Sequence, residues 1–430
     1  MILILLSLIL IGYFIFDQKN FIYALMVFYL VFDMFDGFYK DLKVFAAIRY
    51  ILPLIMVLAY IFANKAIKKS DWVFSLVALY IIALLIFNPG DFILSAKTAF
   101  ALIISLSMVI VGNFFGSKRD FIKEFEPYNR FMLIAIPLYL IMANVLHIGE
   151  AVYGGSFTTG FLGTSRMYIA PIIIFISIHY VLESKSSSLF LRTIDITFIT
   201  LNIIFLVVIT RRTSVGMLAF AIIAYAILNR KVVFKLAMVV VALLTIMVLT
   251  YPLYQEQLNA QLAERERITE VDNYAETEPR YMETLFLYKH FKNTEDPKEL
   301  LFGIQLFDTI NFGIKNFGYG RSIHSDINML LYSTGIVGMV LFLVFFLHYF
   351  VIGNHKMNTE NQRVFYPLLV MLLIVLVPGR FIGTFTFAPL LIFLLSAVKS
   401  SRPKKIKRLT SIKNTLVNRP PKYPLRPITI

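Results

Sequence analysis

The stretch INMLLYSTGIVGMVLFLVFFLHYFV, residues 327–351, contains no Asp, Glu, Lys or Arg. A transmembrane helix needs roughly 20 mostly apolar residues, and this run exceeds that. Similar runs recur near 1–16, 20–36, 44–63, 71–88, 92–115, 130–148, 165–183, 190–209, 213–229, 232–251, 362–378 and 381–398. Hydrophobic residues make up 58% of the 430 and charged residues 16%, far from the soluble average. Only helices and closed barrels satisfy their backbone in lipid, and these runs are too long and too evenly apolar for the alternation of a barrel. The expectation is an all-α integral membrane protein, a polytopic bundle of about twelve transmembrane helices with one long external loop. Residues 1–251 hold the first helices, 252–326 the loop, 327–398 the C-terminal membrane helices and 399–430 a basic tail. The run 1–16 lacks a positive n-region and a small-residue cleavage site, so it reads as a helix rather than a secretory signal. There is no cysteine, which excludes disulfides, thiolate metal sites and a cysteine nucleophile.

The formal net charge is +15. Lys and Arg gather at Lys65, Lys68 and Lys69, at Lys118, Arg119, Lys123 and Arg130, at Arg230 and Lys231, at Lys356 and Arg363, and along the tail from Lys399. These positions flank apolar runs, so the charge reads as the positive-inside signal of cytoplasmic loops and a cytoplasmic tail, not as a nucleic-acid surface. The tail is also suited to anionic head groups, which makes membrane lipids a partner. Alternation of sides places 149–164, the Thr210–Thr213 turn, 252–325 and Pro378–Arg380 outside.

In the long loop, 253–270 is charged and helix-prone. Pro279–Phe291 reads as an amphipathic helix with Tyr281, Leu285 and Tyr288 on its apolar face, and Gly303–Gly320 as irregular chain. The loop closes on Gly320-Arg321-Ser322-Ile323-His324-Ser325-Asp326, directly before the run at 327–351. Imidazole exchanges protons near neutral pH, and His324 stands at a membrane–water boundary, where a base acting on a lipid-linked substrate belongs. Asp326 or Ser325 is placed to cap the following helix. Arginine should be scarce on the outer side, yet Arg166, Arg211, Arg212, Arg280, Arg321 and Arg380 all fall there. A guanidinium fork suits phosphate oxygens, so these residues are candidates for holding a diphosphate; the plainer reading is pairing with loop carboxylates. No histidine pair has metal-ligand spacing, and no Walker, dinucleotide or nucleophile-elbow motif is present. Gly335 and Gly338, with Ser333 and Thr334, read as a small-residue surface for close helix packing.

The segment from His324 and Ser325, through nine residues, to Gly335-Ile336-Val337-Gly338 resembles the His-[Asn/Ser/Gln]-x9-Gly-x-x-Gly motif of the O-antigen polymerase and O-antigen ligase superfamily. The Thr210-Arg211-Arg212 turn is similar to that family's Ser-Arg element, with Arg211 where the serine stands. The stretch from Gly154 to Gly163 and Pro171 is similar to its Gly-rich loop, although Arg166 follows rather than precedes it. The resemblance implies a glycosyltransferase of the bacterial plasma membrane, working at the outer face on polyprenyl-diphosphate-linked glycans with no cofactor, nucleotide sugar or metal. His324 would be the catalytic base or acceptor-orienting residue, and Arg211, Arg212 and Arg280 would hold the diphosphate. It further implies partners in polysaccharide assembly, such as a flippase and a chain-length regulator. Polymerisation of repeat units into O-antigen, capsule or exopolysaccharide is the leading expectation. Transfer to lipid A core by a ligase stays open, and so does a different class, a polysaccharide flippase or transporter. Against the latter, charges gather at the outer face rather than the midplane and no internal repeat is evident.

Overall fold

The computed structural model describes residues 1–39, 42–149, 152, 157–183, 188–209, 212–269, 279–377 and 381–401. Among these the protein is all-helical. The tail beyond 401, Arg211, Arg380, and 270–278 of the long loop lie outside the described residues. Every apolar run of the sequence carries a helix: α1 Ile2–Phe16, α2 Phe21–Phe35, α3 Lys43–Ala63, α4 Trp72–Phe87, α5 Phe92–Lys118, α6 Phe121–Val145, α7 Ile169–Glu183, α8 Leu189–Val208, α9 Arg212–Leu228 and α10 Val233–Thr269. The loop contributes α11 Pro279–Asn293, α12 Pro297–Phe302 and α13 Ile310–Phe317, and α14 Asp326–Phe346, α15 Thr359–Leu376 and α16 Ala388–Ser400 complete the chain.

Among the described residues, eight helices are long and apolar enough to cross a membrane, or nine if Gly160–Arg166 and α7, bent by 80°, form one span. Four shorter apolar helices accompany them, Ile2–Phe16, Ile48–Ala63, Arg212–Leu228 and Ala388–Ser400, so helix length alone supports fewer spans than about twelve. The outer surface carries large apolar side chains such as Leu79, Ile86, Phe220, Leu244, Val248 and Leu343. Such a surface is satisfied by lipid and not by water.

α16 is buried on all sides, from Ala388 through Val398, packed among α5, α6 and α15. It lies against α5 at two glycines. A Cβ on Gly112 would come within 2.7 Å of the Phe393 carbonyl oxygen, and one on Gly116 within 2.1 Å of that of Ala397. In lipid, close backbone approach of this kind is what binds helices together.

Several boundaries differ from the sequence reading; α16, for one, begins at Ala388, seven residues into the run at 381–398. α6 starts at Phe121, nine residues before the apolar run, because Phe121 and Phe125 are themselves buried. α10 does not stop near 251 but runs to Thr269, through Pro252. At ~1.5 Å per residue its 37 residues span about 55 Å, well beyond a hydrocarbon core of about 30 Å. The Gly303–Gly320 segment is not wholly irregular: α13 forms within it and is ended by Gly318, whose left-handed backbone (φ 79°) closes the helix.

The run at 327–351 is also not one continuous helix. At Gly335 the backbone leaves helical geometry (φ 61°, ψ −166°), and α14 is two rods joined there. The break frees carbonyls that lipid cannot satisfy, and the surroundings supply donors. Tyr80 Oη donates to Thr334 O at 2.7 Å, Ile304 N–H to Tyr332 O at 2.8 Å, and Phe307 N–H to Ser333 Oγ at 3.0 Å. Gly335 packs on the chain at 301–303, where a Cβ would lie 2.4 Å from the Leu301 carbonyl oxygen. Gly303 opposes it with φ 88°, and a Cβ there would meet Ser333 backbone at 2.5 Å. Gly335 is thus a helix break seated on the loop, not the helix-packing surface expected; Gly338 keeps that role towards Tyr80 of α4.

Candidate active site

Polar contacts join the end of α2 to α3 and Arg166, the α4–α5 turn to the loop, and the start of α14 to the approach to α16. Residues 303–310 are clamped to the α4–α5 turn. Leu306 N–H donates to Asn88 O at 2.9 Å, Asn88 Nδ2 to Gly303 O at 3.2 Å, and Asp91 N–H to Asp308 Oδ2 at 2.9 Å. Above this clamp sits a small apolar core of Leu287, Phe312, Ile323 and Tyr332, with Phe286, Phe317 and Met329 around it. Ile323 anchors the strand-like approach to α14, and its N–H donates to Thr309 Oγ1 at 3.1 Å. With Ile323 turned inward, His324 turns outward and is 31% exposed at its side chain.

Glu283 of α11 holds that histidine. Its carboxylate is fully buried. Oε2 accepts the backbone N–H of His324 at 3.0 Å; Oε1 lies 3.1 Å from His324 Nδ1 and accepts from Arg321 Nη2 at 2.6 Å. The same Nη2 stands 2.8 Å from His324 Nδ1. The Arg321 guanidinium also lies over the Phe317 ring, 4.4 Å from its centroid. Gly313 permits the arrangement, since a Cβ on α13 there would strike the Arg321 carbonyl oxygen at 2.4 Å. Burial pushes the Glu283 carboxyl up, but hydrogen bonds from the His324 ring and backbone, with the charges of His324 and Arg321, outweigh it and hold it below its ordinary value. Glu283 is therefore an anion at neutral pH, sharing one carboxylate between an imidazole and a guanidinium.

Glu283 was not read from the sequence. The Tyr281, Leu285 and Tyr288 face assigned to this helix is wrong: Tyr281 and Tyr288 are exposed, and Glu283 and Leu287 are buried. The four-residue spacing of Glu283 and Leu287 was the available signal. Asp326 or Ser325 was expected to cap α14; Ser325 stands at the N-cap, but its side chain makes no cap hydrogen bond. Asp326 is buried and accepts Phe381 N–H at 2.7 Å and Ile382 N–H at 2.9 Å, tying the start of α14 to the approach to α16.

Of the arginines proposed for a diphosphate, Arg321 is joined to His324 through Glu283. Arg280 is exposed at the start of α11, about one turn before Glu283, and is engaged by a neighbour. Arg212 is exposed at the first residue of α9. Arg166 belongs to a different cluster. Its Nη2 lies 3.0 Å from Asp36 Oδ2 and its Nε 3.5 Å from Asp33 Oδ2. Arg49 of α3 answers the same two acids, Nη2 to Asp33 at 2.5 Å and Nη1 to Asp36 at 3.0 Å. The Thr386 hydroxyl donates to Asp33 Oδ2. Residues 381–387 are thus held by Asp326 at one end and Asp33 at the other.

No protein-family model matches this chain, and no curated protein and no solved structure matches it.

Proposed function

We propose that this protein is a membrane glycosyltransferase that polymerises polyprenyl-diphosphate-linked oligosaccharide repeat units at the outer face of a bacterial plasma membrane. The observation that carries the reading is the His324 imidazole, partly exposed at the start of a membrane helix and backed by the buried Glu283 and Arg321. A base set at that level reaches a sugar carried on a lipid diphosphate. The acceptor hydroxyl oxygen attacks the anomeric carbon of the donor, and its proton passes to His324. The bond from that carbon to the diphosphate oxygen breaks, and polyprenyl diphosphate leaves with the electron pair. Arg280 and Arg212, exposed at helix starts, are the described candidates to meet the leaving diphosphate, with Arg211 beside Arg212; Arg166 serves only if substrate draws it from Asp33 and Asp36. The similarity of His324 to Gly338 to the motif of the polymerase and ligase superfamily supports the same chemistry.

The test is the purified full chain in lipid vesicles, given lipid-linked repeat units and neither nucleotide sugar nor divalent metal. The expected product is a ladder of polymer that vanishes with His324→Ala. An absolute need for a nucleotide sugar overturns the reading, because the energy of transfer would not come from the lipid diphosphate. Transfer only to lipid A core, without chain growth, makes the protein a ligase.

A further inference from the structure

Two neighbours ask opposite things of His324 Nδ1. Glu283 Oε1, at 3.1 Å, is an anionic acceptor and favours a proton on that nitrogen. Arg321 Nη2, at 2.8 Å, is a permanent donor and favours a bare one. The choice decides what the exposed edge of the ring can do. With the proton on Nδ1, Nε2 is bare and accepts a proton; with Nδ1 bare, Nε2 carries the proton and only donates. Arg321 has its charge answered elsewhere, by Glu283 at 2.6 Å and by the Phe317 ring. Glu283 cannot turn from the ring, because its second oxygen is pinned by the backbone N–H of His324. Of the remaining charged groups around the ring, Asp326 is committed to the 381–382 backbone, and Arg280 stands at the exposed start of α11.

We propose that Glu283 is the positioning residue of this site: it draws the His324 proton onto Nδ1, so that Nε2 faces outward as the basic nitrogen, and Arg321 opposes it. The proposal rests on the reading of His324 as the proton acceptor. In the transfer step the acceptor hydroxyl proton moves to Nε2. The imidazolium so formed keeps its Nδ1–H on Glu283, whose negative charge balances it.

Glu283→Gln keeps the shape and a carbonyl oxygen but removes the charge. Polymerisation at neutral pH should fall by roughly 10²–10⁴-fold, the scale at which a general base and its tautomer matter. The acid limb of the pH–rate profile should move to lower pH, because the imidazolium has lost its counter-charge. Arg321→Gln removes a cation, and the limb should move to higher pH. A merely structural role for both residues lowers activity without moving the limb in opposite directions. Turnover-independent evidence comes from ¹⁵N-histidine NMR of the full chain in nanodiscs, with the His324 signal assigned by its loss in His324→Ala. The neutral wild-type ring should carry its proton on Nδ1, and the Glu283→Gln ring on Nε2. A wild-type ring protonated on Nε2, or an acid limb unmoved in Glu283→Gln, overturns the proposal. The wild-type spectrum needs no variant to fold in altered form. If His324→Ala still polymerises, the catalytic reading falls, while the tautomer remains a separate measure of the hold of Glu283 on the ring.

Discussion

Two charged clusters, one around Asp33 and Asp36 and one around Glu283, are built on opposite plans. Around Asp33 and Asp36 the count is even: two carboxylates face Arg49 and Arg166, and every one of the four has a partner of opposite charge. Around Glu283 the count is uneven: one carboxylate serves a guanidinium and an imidazole, and the imidazole keeps an exposed edge. A closed set of pairs fixes the end of α2, α3 and the short helix Gly163–Arg166 to one another. An open set keeps a titratable edge for something outside the protein. On the proposed function, the first cluster is structural and the second chemical, and that contrast can be broken by experiment.

The sharpest break is His324→Ala. Polymer formation should drop by about 10²–10⁴-fold, the typical share of a general acid–base group, while the amount of protein in the membrane is unchanged. Near-normal polymer length would make the second cluster as structural as the first. Asp33→Ala should do the reverse. It leaves the buried Arg49 short of a partner, a change worth about 3–5 kcal/mol, so membrane accumulation and Tm should fall together. A stable, inactive Asp33→Ala protein would move the first cluster into the chemistry. Gly335→Ala should come next. Its left-handed backbone costs a side chain about 1–3 kcal/mol, and the Cβ has no room against Leu301, so the loop bearing Glu283 should loosen and proteolysis within 297–310 should speed up. Arg321→Lys should have the smallest effect, about tenfold on turnover, since a lysine can answer Glu283 but lacks the planar face for Phe317 and the fork for His324.

Acid tests the second cluster through its carboxylate. The Glu283 carboxyl is held below its ordinary value, so its contribution is fully present above that value and is lost as pH falls through the lowered one. Protection of α11 and α14 against hydrogen exchange, taken relative to the intrinsic exchange rate at each pH, should therefore be flat across neutral pH and fall only in strong acid.

The helices were legible because lipid demands long apolar runs, and that signal is local: the run at 71–88 became Trp72–Phe87, and that at 190–209 became Leu189–Val208. His324 was legible because it ends a polar loop against such a run. Glu283 was not, because nothing local marks it. Its role depends on Arg321 and His324, some forty residues later, folding back onto one helix face. The break at Gly335 was hidden for a related reason: small residues in an apolar run fit tight helix packing as well as a kink, and only the loop glycine at Gly303 decides between them. Asp33, Asp36 and Arg49 were passed over because each reads singly as a charge at a helix end, and their pairing joins separate elements.

The position of α16 has a consequence for how the molecule is made. It is the last of the described helices to leave the ribosome, yet it is buried from Ala388 through Val398. Until it arrives, α5 must wait in the bilayer with the surface around Gly112 and Gly116 uncovered, and the neighbours can have only provisional positions. Assembly is then completed by insertion of a keystone rather than by stepwise addition at an edge. A nascent chain stalled before residue 388 should accordingly remain a substrate for membrane quality control, however many of its earlier helices have already crossed.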